Sequence, residues 1–324
     1  MNEQKKDLSF LELFVLNTII YFDIFDYPLT VNEIYYYLYT GGMDVMPFSS
    51  QEIDDILVTS EKLRKVITTQ SGFYFLKGRR EIVEIRLERY NIADKKFRIA
   101  KKAIWFLKFL PFIKMIAVCN NLGYQNAKPE SDIDFFIITA KNRIYLVRFC
   151  VSVLLSLLRF RGENKTDRIC LSFYTTEDNM DFSNLPIVAE DIYLTFWLAT
   201  LWPIYVRENF CQKFLEKNVW LKKYLPHFMP IKIGYRYRVD DTSWSKFIYG
   251  AKELIAGGFI GNFLEKITKK IQLKKMSQRK KDMAVVGNSK VIISDIMLKF
   301  HENDRRLEYL QKFERKRLEI INKL

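Results

Sequence analysis

Two aspartates one residue apart are the side chains of this chain whose type and spacing best suit chemistry. Asp132 and Asp134 occur in "SDIDFFIIT" (residues 131–139), where an apolar run begins at once. Residues two apart in a β-strand point to the same face, so the two carboxylates are predicted to lie side by side. Like charges at that distance repel each other unless a proton or a cation joins them. Mg²⁺, or Mn²⁺ in its place, is the predicted cation because it binds carboxylate oxygens together with substrate phosphates.

Other reaction chemistries have little support in the composition. The only histidines are His227 and His301, and no zinc-ligand spacing or Gly-x-Ser-x-Gly sequence accompanies them. The cysteines form no Cys-x-x-Cys pair, which indicates a reducing cytoplasm rather than a secreted disulfide scaffold. They are Cys119, Cys150, Cys170 and Cys211.

The neighbouring sequence predicts the elements that position the two aspartates. Residues 112–119 predict a buried strand, residues 120–130 a turn with a short helix or loop, and residues 131–139 the next strand. The stretch "VCNNLGYQNAKPESDIDFFIIT" (residues 118–139) resembles the nucleotidyltransferases of the DNA polymerase β superfamily. Their signature is a strand, a Gly-Ser or Gly-Gly turn, about ten residues, and then two aspartates one residue apart on the next strand.

The resemblance implies a role for each matching residue. Asp132 and Asp134 would be the catalytic carboxylates, holding metal ions that bridge the phosphates of an NTP and activate an acceptor hydroxyl. Asn120 and Asn121 stand where the family has glycine and serine, and Ser131 is a further predicted phosphate contact. Asn120 adds a side chain where glycine lets the backbone approach the phosphate, although asparagine tolerates the left-handed conformation. The amide of Asn121 can donate a hydrogen bond in place of the serine hydroxyl.

Active members of the superfamily carry a third carboxylate on a later strand, beside the first two. The matching strand is predicted at residues 168–176, where Cys170 and Ser172 share one face, Phe173 takes the other, and no acid lies within. Acids follow the strand in a segment whose composition favours a solvated turn. They are Glu177, Asp178 and Asp181.

The start of the chain predicts a small helical module. Helices are expected at residues 8–25 and 30–39 and from about residue 49, followed by a hairpin that turns at residues 70–72. This is the order of a winged helix-turn-helix domain. Its third helix carries acids that would repel phosphates, so a structural or protein-docking role is favoured over DNA binding, and a transcription regulator is a third possibility. These acids are Glu52, Asp54, Asp55 and Glu61.

Positive charge is concentrated in two segments. The chain has 52 Lys and Arg against 38 Asp and Glu, a formal net charge of +14. Residues 79–108 hold ten basic and four acidic side chains, and residues 264–324 hold seventeen and eight. If they flank the carboxylates, these segments would attract an NTP, RNA or another polyanion; the alternative is that they are solvated helix faces.

Two apolar runs, residues 149–158 and 192–206, predict buried core helices. The first is too short to span a bilayer and the second contains Pro203, so no stable membrane insertion is expected. The first residues lack the apolar stretch of a signal peptide, which also favours a cytoplasmic location.

These observations predict an α+β protein with a nucleotidyltransferase-type mixed sheet. The predicted domains are a winged-helix-like module (1–78), a core with a basic leading helix (79–215) and a basic, mostly helical C-terminal region (216–324). Residues 191–205 and 298–306 extend the resemblance to uncharacterised bacterial proteins that carry a nucleotidyltransferase domain. The predicted function is metal-dependent transfer of a nucleotidyl group from an NTP to an acceptor. The alternative is a catalytically silent nucleotidyltransferase fold that binds a nucleotide or RNA or docks a partner, and the absence of a third acid near the two aspartates would favour it.

Overall fold

The structure is a computed structural model, and it describes residues 8–160, 166–188, 190–229, 236–276, 278–285, 291–300 and 304–324. The helices are α1 (Phe10–Asp23), α2 (Val31–Tyr36), α3 (Ser50–Thr59), α4 (Glu61–Val66), α5 (Ile82–Leu107), α6 (Ile144–Leu157), α7 (Ile192–Ala199), α8 (Phe210–Lys217), α9 (Leu221–Tyr224), α10 (Ser243–Ala256), α11 (Phe259–Lys275), α12 (Gln278–Val285) and α13 (Arg306–Ile321). The strands are β1 (Ile67–Gln70), β2 (Phe73–Leu76), β3 (Ile113–Val118), β4 (Ile133–Thr139), β5 (Ile169–Thr176), β6 (Trp202–Val206), β7 (Val291–Ile293) and β8 (Met297–Phe300).

The central sheet has the strand order β6-β3-β4-β5-β8-β7. β4 and β5 run parallel, and the other neighbours in the sheet are antiparallel. The predicted α+β class with a mixed sheet is therefore confirmed. In the described ranges, no helix is both long and apolar enough to cross a membrane.

Each face of the sheet has its own core, because the side chains of β4 alternate between the two sides. Phe136 and Ile138 pack into the cluster that contains the buried face of α1, whereas Phe135 and Ile137 pack into the cluster that contains α5 and α6. The N-terminal helices thus share a core with the sheet. Asp134 belongs to the same alternating set as Phe136, so it lies on the face that α1, α7 and α13 cover.

The N-terminal helices and hairpin are present in the predicted order. Ser9, Thr30 and Ser49 each form a capping box that opens a helix. The second helix is shorter than predicted and ends at Tyr36. β1 and β2 form the predicted hairpin, whose turn uses the left-handed region at Ser71 and Gly72. The winged-helix assignment of this module stays a prediction.

The basic helix α5 uses several of its cations inside the protein. Arg86 donates to Glu33 at 2.7 Å, and its guanidinium lies 4.2 Å from the centre of the Tyr27 ring. Lys96 is 1% exposed and pairs with Asp167 at 2.5 Å. These cations therefore join α5 to other parts of the fold, which leaves less of its charge for a polyanion.

One element prediction was wrong. Residues 192–206 do not form one core helix, since α7 ends at Ala199 and β6 begins at Trp202. Pro203 is tolerated there because β6 is an edge strand and needs no second set of ladder hydrogen bonds. The basic C-terminal region also contributes β7 and β8 to the central sheet, so the predicted segments 79–215 and 216–324 share one sheet.

Candidate functional site

Asn120 opens a short 3-10 turn directly after β3. Its φ is 54°, in the left-handed region that glycine adopts without strain and that asparagine also tolerates. The side-chain N–H of Asn120 donates to Oδ2 of Asp134 at 2.8 Å, and its side-chain oxygen Oδ1 accepts from the indole N–H of Trp197 at 2.9 Å. Asn120 thus bridges the strand aspartate to α7.

Asp134 is partly buried on β4, opposite Cys170 on the parallel strand β5. Burial raises the pKa of this carboxyl, and the charge of Asp132 raises it further, although hydrogen bonds from Asn120 and the Cys170 thiol lower it. Burial, together with the neighbouring Asp134 charge, also raises the pKa of Cys170 to about 11. The pair is therefore best satisfied when the thiol is protonated and donates to the carboxylate.

Asp132 precedes β4 and is nearer the solvent. Its Oδ2 lies 3.2 Å from a guanidinium nitrogen of Arg168, whose side chain is 57% exposed. Ser131, the residue before it, donates its hydroxyl to the carbonyl of Lys128 at 2.8 Å. Asn121 accepts from the hydroxyl of Tyr124 at 2.9 Å. The fold thus brings Asn120, Asp132 and Asp134 together, while Asn121 and Ser131 make local hydrogen bonds.

The face assignment within β5 was wrong. Asp134 is opposite Cys170 and Phe136 is opposite Phe173, so one extra residue of β5 is accommodated by a bulge. Phe173 consequently shares a face with Cys170 and packs on Phe136, with ring centroids 5.3 Å apart. A bulge depends on pairing with a distant strand, so strict alternation along the sequence missed it.

The acids that follow β5 lie at the opposite end of the strand from Cys170. Seven residues at ~3.3 Å each place Glu177 roughly 20 Å along the chain from that cysteine. Glu177 accepts from the backbone N–H of Lys141, and Asp178 accepts from the Thr176 hydroxyl. Across the residues that the structure describes, no group of three or more His, Cys, Asp or Glu side chains could hold a metal ion.

A cavity of about 220 Å³ lies on the Asp134 face of the sheet, beside Asn120. Its apolar wall includes Phe173, Trp197 and the paired rings of Tyr193 and Tyr309, which are parallel within 5° with centroids 5.2 Å apart. The side chains of α7 and α13 thus form an aromatic surface next to the turn that begins at Asn120.

Charged side chains also line the cavity. Lys299, Arg305 and Arg306 line it together with Asp304. Arg306 lies between two buried acids, 3.1 Å from Asp191 and 2.8 Å from Asp304. Although burial raises it, hydrogen bonds from Arg306 and the charge of Lys299 lower the pKa of Asp304 to about 2.

Sequence reasoning did not select these residues individually. Tyr193 and Trp197 lie in the segment 191–205 and Lys299 lies in 298–306, the two segments that extend the resemblance, but nothing local showed that they meet around one cavity. Residues 301–303, which include His301, lie outside the described residues.

Comparison with known protein families, with characterised proteins and with solved structures finds no match to this chain. The functional proposal therefore depends on the contacts of the site.

Proposed function

We propose that this chain is a catalytically silent nucleotidyltransferase-like protein that binds a nucleoside or nucleotide in the cavity beside Asn120. The observation that carries the proposal is that the Asp134 carboxylate is already occupied by hydrogen bonds from within the protein, an arrangement called the closed site below. This carboxylate is occupied by the Asn120 amide and the Cys170 thiol, and Asn120 is fixed in turn by Trp197. In an active superfamily member this carboxylate would be open to metal and substrate.

A divalent cation fits these residues poorly. Mg²⁺ requires a nearly octahedral set of oxygen ligands. Asp132 is paired with Arg168, Asp134 is partly buried with two hydrogen-bonding neighbours, and within the described ranges no third acid completes a cluster. The proposal therefore includes no step through a metal ion.

The lining of the cavity supports a ligand with a planar ring and an anionic group. The Tyr193 and Tyr309 rings and the Trp197 indole offer faces on which a base can stack. Arg305 is exposed at the cavity and pairs with Glu308 at 2.7 Å, and its guanidinium can exchange this surface pair for a phosphate. At about 220 Å³ the cavity is smaller than the usual range. Since sites for drug-sized ligands begin at roughly 300 Å³, we expect the base and ribose inside and the phosphates at the mouth.

Calorimetry can test this with nucleosides, nucleoside monophosphates and NTPs, each in EDTA and in Mg²⁺. The proposal expects binding that does not need the metal. Arg305→Gln should reduce the affinity for phosphorylated ligands about three- to tenfold, because one charge-assisted contact is removed, and should leave the affinity for nucleosides unchanged. Lys312→Gln is the matched control, since Lys312 also pairs with Glu308 but does not line the cavity.

Absence of binding by any nucleoside or nucleotide would reject the proposal. Tyr309→Leu supplies an independent check. It removes an aromatic ring on which the base can stack, so it should reduce the affinity for nucleosides and nucleotides alike.

The second candidate is the metal-dependent nucleotidyltransferase itself. It is favoured by one observation, the adjacent Asp132 and Asp134 at the start of β4 in a mixed sheet. It requires Arg168 and Asn120 to release the two carboxylates when substrate arrives. NTP turnover that needs Mg²⁺ and disappears in both Asp132→Asn and Asp134→Asn would select this candidate over the silent module.

A further inference from the structure

Helices α10 and α11 form a hairpin whose outer surface is unusually apolar. They meet at Gly257 and Gly258, and the side chains nearest that tip are the most exposed, with Leu254 and Phe259 both at 86%. Large apolar side chains that are this exposed and this close together indicate an interaction surface. The main members of the surface are Trp244, Phe247, Leu254, Ile255, Phe259 and Phe263.

The tip of the hairpin is held firmly against the body of the protein. Arg143, which is 5% exposed, donates to the carbonyl of Gly257 at 2.5 Å and to the side chain of Asn262 at 2.9 Å. Gly261 allows the close approach of the two helices, since a Cβ atom there would lie 1.6 Å from the carbonyl oxygen of Ala256. The exposed side chains are therefore presented by a fixed support.

The acids of the hairpin point inward. Glu253 accepts from Arg207 and from the backbone N–H of Phe112, both at 2.6 Å. Glu265 accepts from the backbone N–H groups of Tyr145 and Leu146 at the start of α6. Residues 243–275 contain seven lysines and only these two acids, so the outer surface of the hairpin is strongly basic.

Lysines continue the apolar stripe along α11. Lys266, Lys270 and Lys274 follow Phe259 and Phe263 at three- and four-residue steps, and all five side chains are exposed. Such steps place side chains on one face of a helix. The stripe is thus apolar at the tip and cationic away from it.

We propose that the α10–α11 hairpin is a peripheral binding site for an anionic lipid surface. The apolar tip would enter the boundary between headgroups and acyl chains while the lysines contact anionic headgroups, the pattern of helices that lie in a membrane interface. Protein-binding surfaces are depleted in lysine, whereas this one is surrounded by it without exposed acids of its own. The binding would be reversible and would not span the bilayer.

Vesicle co-sedimentation tests the proposal with the whole 324-residue chain. The lipids are phosphatidylcholine alone and phosphatidylcholine mixed with phosphatidylserine. We expect binding to the mixed vesicles to be at least about tenfold stronger, and to weaken as salt is added, because several lysines contribute. Leu254→Ser with Phe259→Ser should reduce binding about tenfold or more, since two large side chains no longer leave water.

Two control variants separate this surface from general effects. Met46→Ser replaces an apolar side chain that is 85% exposed in the N-terminal region, and binding should be unchanged. Lys270→Glu with Lys274→Glu should abolish the preference for phosphatidylserine, whereas Lys217→Glu on α8 should keep it. Circular dichroism and the melting temperature report whether each variant is folded.

Failure of the native protein to bind mixed vesicles at low salt would overturn the proposal. A second outcome would also overturn it: concentration-dependent dimers that disappear in Leu254→Ser with Phe259→Ser, without vesicle binding, would assign the surface to a second copy of this chain. Nucleotide binding is measured separately at the cavity, which no residue of the hairpin lines, so either result stands independently.

Discussion

Replacing Asp134 by asparagine should stabilise this protein at neutral pH. Burial raises the pKa of Asp134, so its folded-state pKa exceeds its unfolded-state value of ~3.9. The folded state then binds the proton more tightly, and the free energy of unfolding decreases as the pH rises through the folded pKa. Asparagine has almost the same shape, and its oxygen can still accept from the Asn120 amide.

The expected gain follows from the buried charge that the substitution removes. Removing one unfavourable buried charge changes stability on the scale of a single buried polar group, so we expect Asp134→Asn to raise the free energy of unfolding by about 1 kcal/mol at pH 7.5. This corresponds to a melting temperature roughly 2 °C higher for a chain of this length. Well below pH ~3.9 the carboxyl is protonated in both states, so the gain should vanish.

Urea denaturation of both proteins across this pH range measures the effect. Asp132→Asn is the control, since its pair with Arg168 is at the surface and should contribute no more than about 0.5 kcal/mol. Should Asp134→Asn instead lower stability at pH 7.5, the carboxylate would have to be stabilised as an anion, and the closed, silent site would be refuted.

Three further substitutions probe the supports of the fold by denaturation. Arg86→Met should cost about 2 kcal/mol because it removes the charge-assisted hydrogen bonds to the partly buried Glu33, which keeps its hydrogen bond from the Thr30 backbone; a loss below about 0.5 kcal/mol would contradict the role assigned to α5. The Asp304 carboxylate stabilises the fold above its unfolded-state pKa, and this contribution is lost as the pH falls through its folded-state pKa of about 2. Asp304→Asn should therefore lower the free energy of unfolding by about 2 kcal/mol at pH 7 and should make stability depend less on pH in the acid range. Gly261→Ala should cost more than about 2 kcal/mol through the clash at the hairpin tip, whereas Gly250→Ala, which meets no atom within 4 Å, should be neutral or slightly stabilising.

Local patterns sufficed for the elements that local interactions determine. The capping pair at Thr30 and the glycine turn after Ser71 are short-range chemistry, and both appear where the sequence placed them. The strand with Asp134 was also predictable, because an apolar run bounded by turn residues has few other solutions.

Pairing between distant segments was the part that the sequence did not reveal. The bulge that turns Phe173 toward Phe136 depends on the register of two strands, and the strand at Pro203 depends on its position at the edge of the sheet. The cavity is a stronger case, since Asn120, Trp197 and Arg306 come from three remote stretches. The turn motif singled out Asn120, but Trp197 and Arg306 carry no signal in their own segments, and only tertiary packing brings the three residues to one cavity.

The position of β8 in the sheet has a consequence for how the chain is made. Thr175 at the end of β5 hydrogen-bonds to Ile296, 121 residues later. At ribosomal rates of roughly 5–20 residues per second, β8 is synthesised on the order of ten seconds after β5, so the edge of β5 stays unpaired for that time. During that interval an unpaired edge and an apolar face are open to other nascent chains. During synthesis the partly made chain is therefore exposed to chaperones that bind unpaired strands and apolar surface. Slow translation between β5 and β8 would lengthen this interval.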